Sequence, residues 1–402
     1  MNFSKAMPSW MLASLFAMAA VCMQAPVHAA QKPLLIAYYL ATPAPERYMA
    51  PDSIPAAKLT HLNYAFANIV DGEIVVGNPA LDTSGQDNFA KLRALKKKAP
   101  HLKTLISVGG WEWSGSFSDA ALTPESRAKF AASGVAFVRE HGFDGLDIDW
   151  EFPVAGGMDS NVRRPEDKQN YTLLMKALRE ALDAAGKTDR RHYLLTAAVG
   201  NNAAFLKNTE IHDVGATLDW LNVMTYDMNG PWSKRSGHVA PLYRDPAMSG
   251  PDLDPKNTVS DVIELYLAAG VPAAKLVLGV PFYGYSWKGC APQGRGQYQA
   301  CEGKGPGTWE EGALDYADLA ANYIGRNGYA AYWNDAAKVP YLFNTESGEF
   351  VTYDDTRSLH DKTRFIKRRK LAGAMFWQIT GDKDHKLLDV LARDLLPAKK
   401  KR

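Results

Sequence analysis

The chain has 402 residues, of which 46% are hydrophobic and 22% are charged, and its formal net charge at pH 7 is +2. Such a balanced charge gives no electrostatic basis for binding nucleic acid or an anionic membrane surface, so it argues against both kinds of function. The length exceeds that of a simple domain but is ordinary for an α/β barrel that carries an insertion.

The first segment has the pattern of an export signal. Lys5 is the only charged residue before Lys32, and an uncharged, mostly apolar run extends over residues 10–23. This run is shorter than the roughly 20 residues that a membrane-spanning helix needs, and Val27–Ala29 offers a small-residue cleavage site. We therefore predict a signal peptide at residues 1–29 and a secreted or periplasmic mature protein, with an uncleaved anchor as the alternative. At the other terminus, residues 397–402 are interpreted as a solvated basic tail.

Short apolar segments with the character of β-strands follow in sequence. They cover residues 33–39, 61–69, 103–109, 143–151, 193–199, 220–227, 275–283 and 372–379. Helical patterns separate most of them, for example at 124–141, 166–185, 259–269 and 358–370. Alternating strands and helices predict parallel strands joined by crossover helices. Eight such units predict an α/β fold of the (β/α)8 TIM barrel type.

One connection is too long for a single helix. The stretch between the seventh and eighth predicted strands contains a helical pattern and further strand-like runs, which predict a small α+β insertion at about 287–355. It carries Cys290 and Cys301, the two cysteines that remain after removal of the signal. In an exported chain these predict one disulfide, with two free thiols as the alternative. No cysteine or histidine cluster has the spacing of metal ligands, and we predict neither a metal nor a cofactor.

The segment Asp144–Glu151, with the sequence DGLDIDWE, places acids at the end of the fourth predicted strand. Side chains alternate along a strand, so Asp147, Asp149 and Glu151 share one face. Buried carboxyls close to one another raise each other's pKa, and the result is an acid that holds a proton near neutral pH. A solvated acidic loop or a divalent-metal loop is the alternative. The strict alternation with apolar residues disfavours the loop, and the spacing differs from that of an EF-hand.

Further motifs occur in a fixed order along the chain. They are SVGG at 107–110, MTYD at 224–227, GHVAPLY at 237–243, GVPFYG at 279–284 and MFWQ at 375–378. Together with DGLDIDWE, which fits the pattern DGxDxDWE, they resemble glycoside hydrolase family 18, the chitinases and their relatives. The resemblance extends from about residue 33 to about residue 396, so we predict one catalytic domain over residues 30–396.

The resemblance implies a reaction and roles for individual residues. Family 18 enzymes retain the anomeric configuration, and the N-acetyl oxygen of the substrate itself attacks the anomeric carbon. By resemblance, Glu151 protonates the leaving oxygen and later activates water, and Asp149 holds the acetamido N–H. Asp147 would share a proton with Asp149, and Tyr226 would donate a hydrogen bond to the acetamido carbonyl. Asp144 is interpreted as a residue of the strand start or of a turn, with support of catalysis as the alternative.

The resemblance also implies a set of substrate-binding residues at the strand ends. They are Tyr38, Phe66, Gly110, Trp111, Met224, Asp227, Tyr283 and Trp377. Trp377 would form the floor of the subsite at the cleavage point, because aromatic rings bury the apolar faces of sugars. Other candidates for extending the cleft are Trp113, Trp232, Trp287, Trp309 and Trp333. One position departs from the family: Tyr285 stands where many relatives have Arg, and tyrosine cannot carry that positive charge.

The expected function is that of a secreted chitinase acting on chitin or chitooligosaccharides, with endo or exo action left open. A chitin-binding lectin of the same family is one alternative, but such proteins lose the acid equivalent to Glu151. An enzyme on another N-acetylated glycan, such as peptidoglycan or an N-linked glycan core, is the second. The insertion favours chitin, because it is expected to deepen the cleft for a long linear polymer. We expect a monomer that binds no nucleic acid, and no membrane after signal cleavage.

Overall fold

The computed structural model describes residues 32–397 except 43 and 46, and their centre is a closed barrel of eight parallel strands. Each strand pairs with the next, and the first strand pairs with both the second and the eighth. In chain order the barrel strands are Leu34–Leu40, His61–Val70, Lys103–Gly109, Gly145–Asp149, Leu194–Val199, Trp220–Val223, Leu276–Pro281 and Gly373–Trp377. The predicted (β/α)8 fold is confirmed.

Helices surround the barrel and connect its strands. The longer ones are Asn88–Lys98, Pro124–His141, Asp167–Asp189, Val259–Ala268, Thr356–Arg369 and Lys386–Leu395. Shorter α-helices are Pro79–Asp82, Gly110–Trp113, Phe117–Ala120, Ala203–Lys207, Ile211–Thr217 and Tyr316–Asp318. Among the helices described, none combines the length and the apolar character that crossing a membrane requires. The predicted signal peptide and residues 398–402 of the predicted tail lie outside the described residues.

Local sequence fixes where these helices start and stop, as Pro124–His141 illustrates. Thr123 and Ser126 form a capping box, in which each side chain accepts a hydrogen bond from the backbone N–H of the other. The helix ends at Gly142, whose φ of 76° is the left-handed conformation that glycine adopts readily. The face that carries Phe130 is buried against the barrel. Caps satisfy backbone groups that would otherwise lack partners, so they define the ends of the element.

The insertion between the seventh and eighth barrel strands is built on an antiparallel sheet. Its strands are Tyr283–Lys288, Gly303–Lys304, Ala313–Asp315, Tyr329–Asn334, Val339–Asn344 and Glu349–Tyr353. The first strand of this sheet begins at Tyr283, directly after the seventh barrel strand ends at Pro281, whereas the sequence placed the start of the insertion at about 287. Cys290 and Cys301 are joined by a disulfide within the insertion. Trp287 is fully buried in the insertion's own core, so it cannot line a cleft.

A buried ion pair connects the end of the insertion to the barrel. Asp354 follows the last insertion strand, and its carboxylate accepts a hydrogen bond from the ammonium group of Lys362 on helix Thr356–Arg369. Both side chains are completely buried. Burial lowers the pKa of Lys362, and the neighbouring Asp354 charge opposes that shift.

Removing one partner of this pair is expected to be strongly destabilising. We expect Lys362→Met to lower the free energy of unfolding by about 3–5 kcal/mol, because Asp354 is left as an uncompensated buried charge. Urea denaturation measures the change. The double variant Lys362→Met/Asp354→Leu is the control and is expected to recover most of the loss. A double variant as unstable as the single one would contradict the explanation.

Candidate active site

The acid row of the fourth strand begins with Asp147, which lies inside the barrel. Its Oδ2 accepts hydrogen bonds from the hydroxyls of Tyr38 at 2.8 Å and Ser107 at 2.9 Å. Its Oδ1 accepts from Thr196 Oγ1 at 2.5 Å and Asn222 Nδ2 at 3.0 Å. Burial raises the pKa of Asp147, and these hydrogen bonds act in the opposite direction. The donors come from four other strands, so Asp147 ties the barrel together beneath the site.

Asp149, the next acid in the row, has a carboxyl oxygen without a hydrogen-bond partner among the described residues. The residue is 4% exposed, and its Oδ1 is buried without a hydrogen-bond partner among the described residues. Burial, and then the charges of Glu151 and Asp147, raise the pKa of Asp149 well above its usual value. A buried acceptor without a partner is costly, which indicates that a ligand group completes its bonding. The sharing of a proton with Asp147 stays a prediction.

Glu151 lies two residues beyond the end of the fourth strand and is held through its backbone. Its N–H donates to Ser114 Oγ at 2.9 Å, and its carbonyl accepts from Asn161 Nδ2 at 2.9 Å. Burial and the charge of Asp227 raise the pKa of Glu151 to about 8. The carboxyl is therefore mostly protonated at neutral pH and can act as a general acid.

Tyr226 and Asp227 enter the site from the segment after the sixth strand. Among the described residues, the Tyr226 hydroxyl donates a hydrogen bond to Met375 Sδ at 3.9 Å, and a thioether is a weak acceptor. Burial and the surrounding carboxyls raise the pKa of Tyr226, so it stays a neutral donor. Asp227 adopts a left-handed φ of 56° and accepts a hydrogen bond from the Tyr283 hydroxyl. Met224 is partly buried against the core just before them.

Aromatic rings form a floor beside the acids. Trp377, at the end of the eighth strand, stacks on Phe66 with the ring centroids 5.7 Å apart, and it contacts Tyr38 at 5.7 Å. A side chain at Gly110, whose φ is 74°, would place its Cβ 2.5 Å from the Phe66 ring. Gly110 is therefore required for this close approach.

Several other tryptophans present wide exposed surfaces. Trp111 is 52% exposed, Trp232 is 63% exposed and Trp309 is 40% exposed, which is unusual for such large apolar side chains. Two of the candidate rings lie under a guanidinium, Trp333 under Arg357 at 3.8 Å and Trp309 under Arg47 at 5.1 Å. The exposed rings fit a surface that stacks against sugars.

Asp144 lies at the opposite end of the fourth strand. It accepts hydrogen bonds from the Thr104 N–H at 2.9 Å and the Arg191 guanidinium at 2.5 Å, and it pairs with Lys96 at 2.6 Å. Burial alone would raise the pKa of Asp144, but the bonds from Lys96 and Thr104 outweigh it and lower the pKa. Asp144 thus supports the start of the strand, as the sequence analysis interpreted it.

Sequence reasoning missed the groups that hold the acids in place. Thr196 and Asn222 bond Asp147, while Ser114 and Asn161 fix the backbone of Glu151. The sequence could have indicated Thr196 and Asn222, because each is a polar residue within an otherwise apolar strand. Ser114 and Asn161 lie in connecting segments that carry no such pattern.

The described residues also form a groove that lies away from the acids and aromatic rings of the site. An open groove of about 510 Å³ lies on the outer wall between helices Asn88–Lys98 and Pro124–His141, and none of the site residues line it. Within residues 32–397, apart from the two gaps, no group of three or more His, Cys, Asp or Glu is arranged to hold a metal ion.

A (β/α)8 barrel that presents a general acid, further carboxyls and aromatic rings at the carboxyl ends of its strands defines a barrel enzyme of the glycoside hydrolase class. The model of the family Glycosyl hydrolases family 18 matches residues 35–382, and the chain belongs to this family.

Known proteins similar to the chain include chitinases and an N-acetylglucosaminidase of the same family. Chitinase A1 of Niallia circulans is 46% identical over 92% of this chain, which spans only 60% of that protein's length. Chitinase ChiA74 from Bacillus thuringiensis has a similar structure, with 41% identity, a TM-score of 0.88, and coverage of 92% of this chain and 71% of that one. A family 18 N-acetylglucosaminidase from Paenibacillus barengoltzii is 37% identical with a TM-score of 0.79, over 90% of this chain and 100% of that one. The chain is therefore similar to chitinases and to an N-acetylglucosaminidase within its family.

Proposed function

We propose that this chain hydrolyses β-1,4-linked N-acetylglucosamine polymers by a retaining, substrate-assisted mechanism. The proposal rests on Glu151, whose pKa is raised to about 8, together with two polar groups of the site. Asp149 Oδ1 has no hydrogen-bond partner among the described residues, and the Tyr226 hydroxyl donates only to a thioether. The names of Chitinase A1 and ChiA74 support chitin as the substrate.

Asp149 Oδ1 and the Tyr226 hydroxyl have the chemistry that an acetamido group requires. Asp149 Oδ1 is an acceptor for its N–H, and the Tyr226 hydroxyl is a donor for its carbonyl oxygen. Held between them, the acetamido oxygen of the substrate attacks the anomeric carbon. Burial and the neighbouring carboxyls raise the pKa of Asp149, so it holds a proton before the reaction. As the positive charge of the oxazolinium develops, that proton passes to Asp147, with which Asp149 is proposed to share it, and the ionised Asp149 stabilises the charge in a site of low dielectric.

Glu151 acts at both stages of the proposed reaction. Its proton goes to the glycosidic oxygen as the bond to the leaving sugar breaks, which leaves the Glu151 carboxylate. That carboxylate then removes a proton from the water that opens the oxazolinium, and the acid form is regenerated. Two displacements at the same carbon retain the β configuration of the product.

The pH dependence of the rate follows from the protonation of Glu151. Its pKa is raised to about 8, so the reactive acid form is lost as the pH rises through that value. We expect kcat to be nearly level between about pH 6 and 7 and to fall tenfold per pH unit well above 8. Initial rates on a soluble chitooligosaccharide at constant ionic strength measure this. A rate that still rises above pH 9 would contradict the assignment of Glu151 as the acid.

Product analysis on N-acetylglucosamine oligomers of defined length tests the proposed function. Release of the N,N′-diacetyl disaccharide, initially as the β anomer, is the expected result. Release of single N-acetylglucosamine units would instead favour the activity named for the Paenibacillus barengoltzii relative. Binding without cleavage would support the lectin alternative. Failure to bind or cleave, with activity on peptidoglycan or glycoprotein glycans, would overturn chitin as the substrate.

We also propose that the enzyme is exported and acts as a monomer. The sequence pattern at residues 1–29 supports export, and the Cys290–Cys301 disulfide is a bond typical of oxidising compartments. Mass determination of protein recovered from the periplasm and from the medium tests the cleavage site. A cell-retained protein of full-length mass would contradict export.

A further inference from the structure

The backbone of Glu151 lies beyond the regular hydrogen bonding of the barrel. The fourth strand ends at Asp149, and its pairing with the strands on either side ends there or one residue before. Two side chains bond the backbone of Glu151 instead. Its N–H donates to Ser114 Oγ at 2.9 Å, and its carbonyl accepts from Asn161 Nδ2 at 2.9 Å. Side chains from two connecting segments therefore fix the place at which the acid leaves the chain.

Ser114 connects three backbone groups through a single hydroxyl. The residue is completely buried. Its Oγ accepts from the Glu151 N–H and shares its proton between the carbonyls of Gly110, at 2.7 Å, and Asp149, at 3.1 Å. Gly110 begins the short helix that follows the third strand. One hydroxyl thus ties the backbone of the acid both to the end of its own strand and to the neighbouring strand's connection.

Asn161 bonds the same peptide segment from the connection that follows the fourth strand. Its side chain is nearly buried, and its amide has the Glu151 carbonyl as its acceptor. Gly157 lies beside this bond with a left-handed φ of 72°. A Cβ at Gly157 would collide with the Glu151 carbonyl oxygen and would lie 2.6 Å from Asn161 Nδ2. Glycine at this position therefore leaves the room that the bond requires.

The position of the Glu151 carboxyl depends on this backbone anchoring. The hydrogen bonds that Glu151 makes among the described residues involve its backbone, so the carboxyl is left for the substrate. A general acid acts only within hydrogen-bond reach of the atom that it protonates. A displacement of about 1 Å can lower the rate by about 10²-fold. Loss of either backbone bond is therefore expected to reach the chemistry through Glu151.

We propose that Ser114 and Asn161 are positioning residues that hold the Glu151 carboxyl at the glycosidic oxygen. The proposal rests on the proposed function, in which Glu151 is the acid and the base. Neither side chain touches the reacting atoms, and each acts through the backbone of Glu151.

Kinetics in two backgrounds separate positioning from a general loss of structure. Ser114→Ala is expected to lower kcat on chitooligosaccharides by about 10- to 100-fold and to leave KM nearly unchanged. Because Ser114 acts through Glu151, the same substitution is expected to cause no further loss in Glu151→Gln. Ser114→Thr keeps the hydroxyl and is expected to retain most of kcat. Equal losses from Ser114→Ala in both backgrounds overturn the proposal.

Ser133→Ala is the matched control, because Ser133 has the same bonding pattern outside the site. On helix Pro124–His141, its Oγ accepts from the Ile74 N–H at 2.9 Å and donates to the Phe130 carbonyl at 2.8 Å. This variant loses a similar pair of hydrogen bonds and is expected to leave kcat unchanged. A loss of kcat as large as that of Ser114→Ala would contradict the positioning role.

Crystal structures of the variants make the test independent of turnover. Asn161→Leu keeps a side chain of similar size that donates no hydrogen bond. In Ser114→Ala and in Asn161→Leu, the Glu151 carboxyl is expected to move by more than about 0.5 Å, the tolerance of a catalytic group. A carboxyl that stays in place overturns the proposal, and Asn161→Leu decides this even if the Ser114 variants do not fold. If the wild-type protein cleaves no N-acetylglucosamine oligomer, the proposed function fails, but the displacement still decides the positioning.

Discussion

Glu151→Gln is expected to lower kcat on chitooligosaccharides by about 10³-fold, the range of a lost general acid. Glutamine has nearly the same shape but cannot release a proton to the glycosidic oxygen. The backbone bonds of Glu151 to Ser114 and Asn161 do not involve the carboxyl, so they survive the change. Oligomer binding, measured by calorimetry, is expected to persist in this variant.

The matched control for this variant lies on the outer surface. Glu180 is exposed on helix Asp167–Asp189, so Glu180→Gln makes the same chemical change away from the site and is expected to leave kcat unchanged. A Glu151→Gln enzyme with full hydrolytic activity would contradict every catalytic role proposed for the acid row.

Asp149→Asn is expected to lower kcat by about 10²- to 10³-fold and, at the same time, to stabilise the fold. The loss of activity follows because an amide cannot supply the negative charge that stabilises the oxazolinium. The gain in stability follows because burial and two neighbouring carboxyls disfavour the ionised form of Asp149. Its folded-state pKa is raised above the unfolded value of about 3.9, so the energetic penalty grows as the pH rises from that value. At pH 7 the asparagine avoids this penalty.

Measurements of kcat and of stability on one preparation test whether Asp149→Asn lowers activity while it stabilises the fold. Urea denaturation at pH 7 and at pH 4 is expected to show a stability gain for Asp149→Asn that is larger at pH 7. Asp183→Asn, on the exposed face of helix Asp167–Asp189, is the control and is expected to leave kcat unchanged. A variant that loses both activity and stability at pH 7 would indicate a structural role for Asp149 instead.

The predicted and observed insertions differ in where they begin and in the position of Trp287, and both differences show what sequence patterns cannot predict. The predicted seventh strand ran to residue 283, whereas the barrel strand ends at Pro281 and a strand of a different sheet begins at Tyr283. Alternation along one strand does not report which sheet the strand joins. Trp287 was a candidate for the cleft because tryptophans bind sugars, but the insertion buries it in a core of its own. Whether an aromatic residue becomes core or cleft depends on which element packs over it, and periodicity does not report that.

The sequence by itself determined the barrel and the line of acids. Alternating strands and helices admit few closed arrangements, and a period of two places Asp147, Asp149 and Glu151 on one face whatever surrounds them. The tertiary structure alone decided how they differ. Asp147 receives four hydrogen bonds from other strands and Asp149 Oδ1 receives none, while Asp227 accepts a hydrogen bond from the Tyr283 hydroxyl. The pKa of a carboxyl depends on groups distant in sequence but near in space, so residues of one type on one strand acquire different chemistry only when the barrel closes.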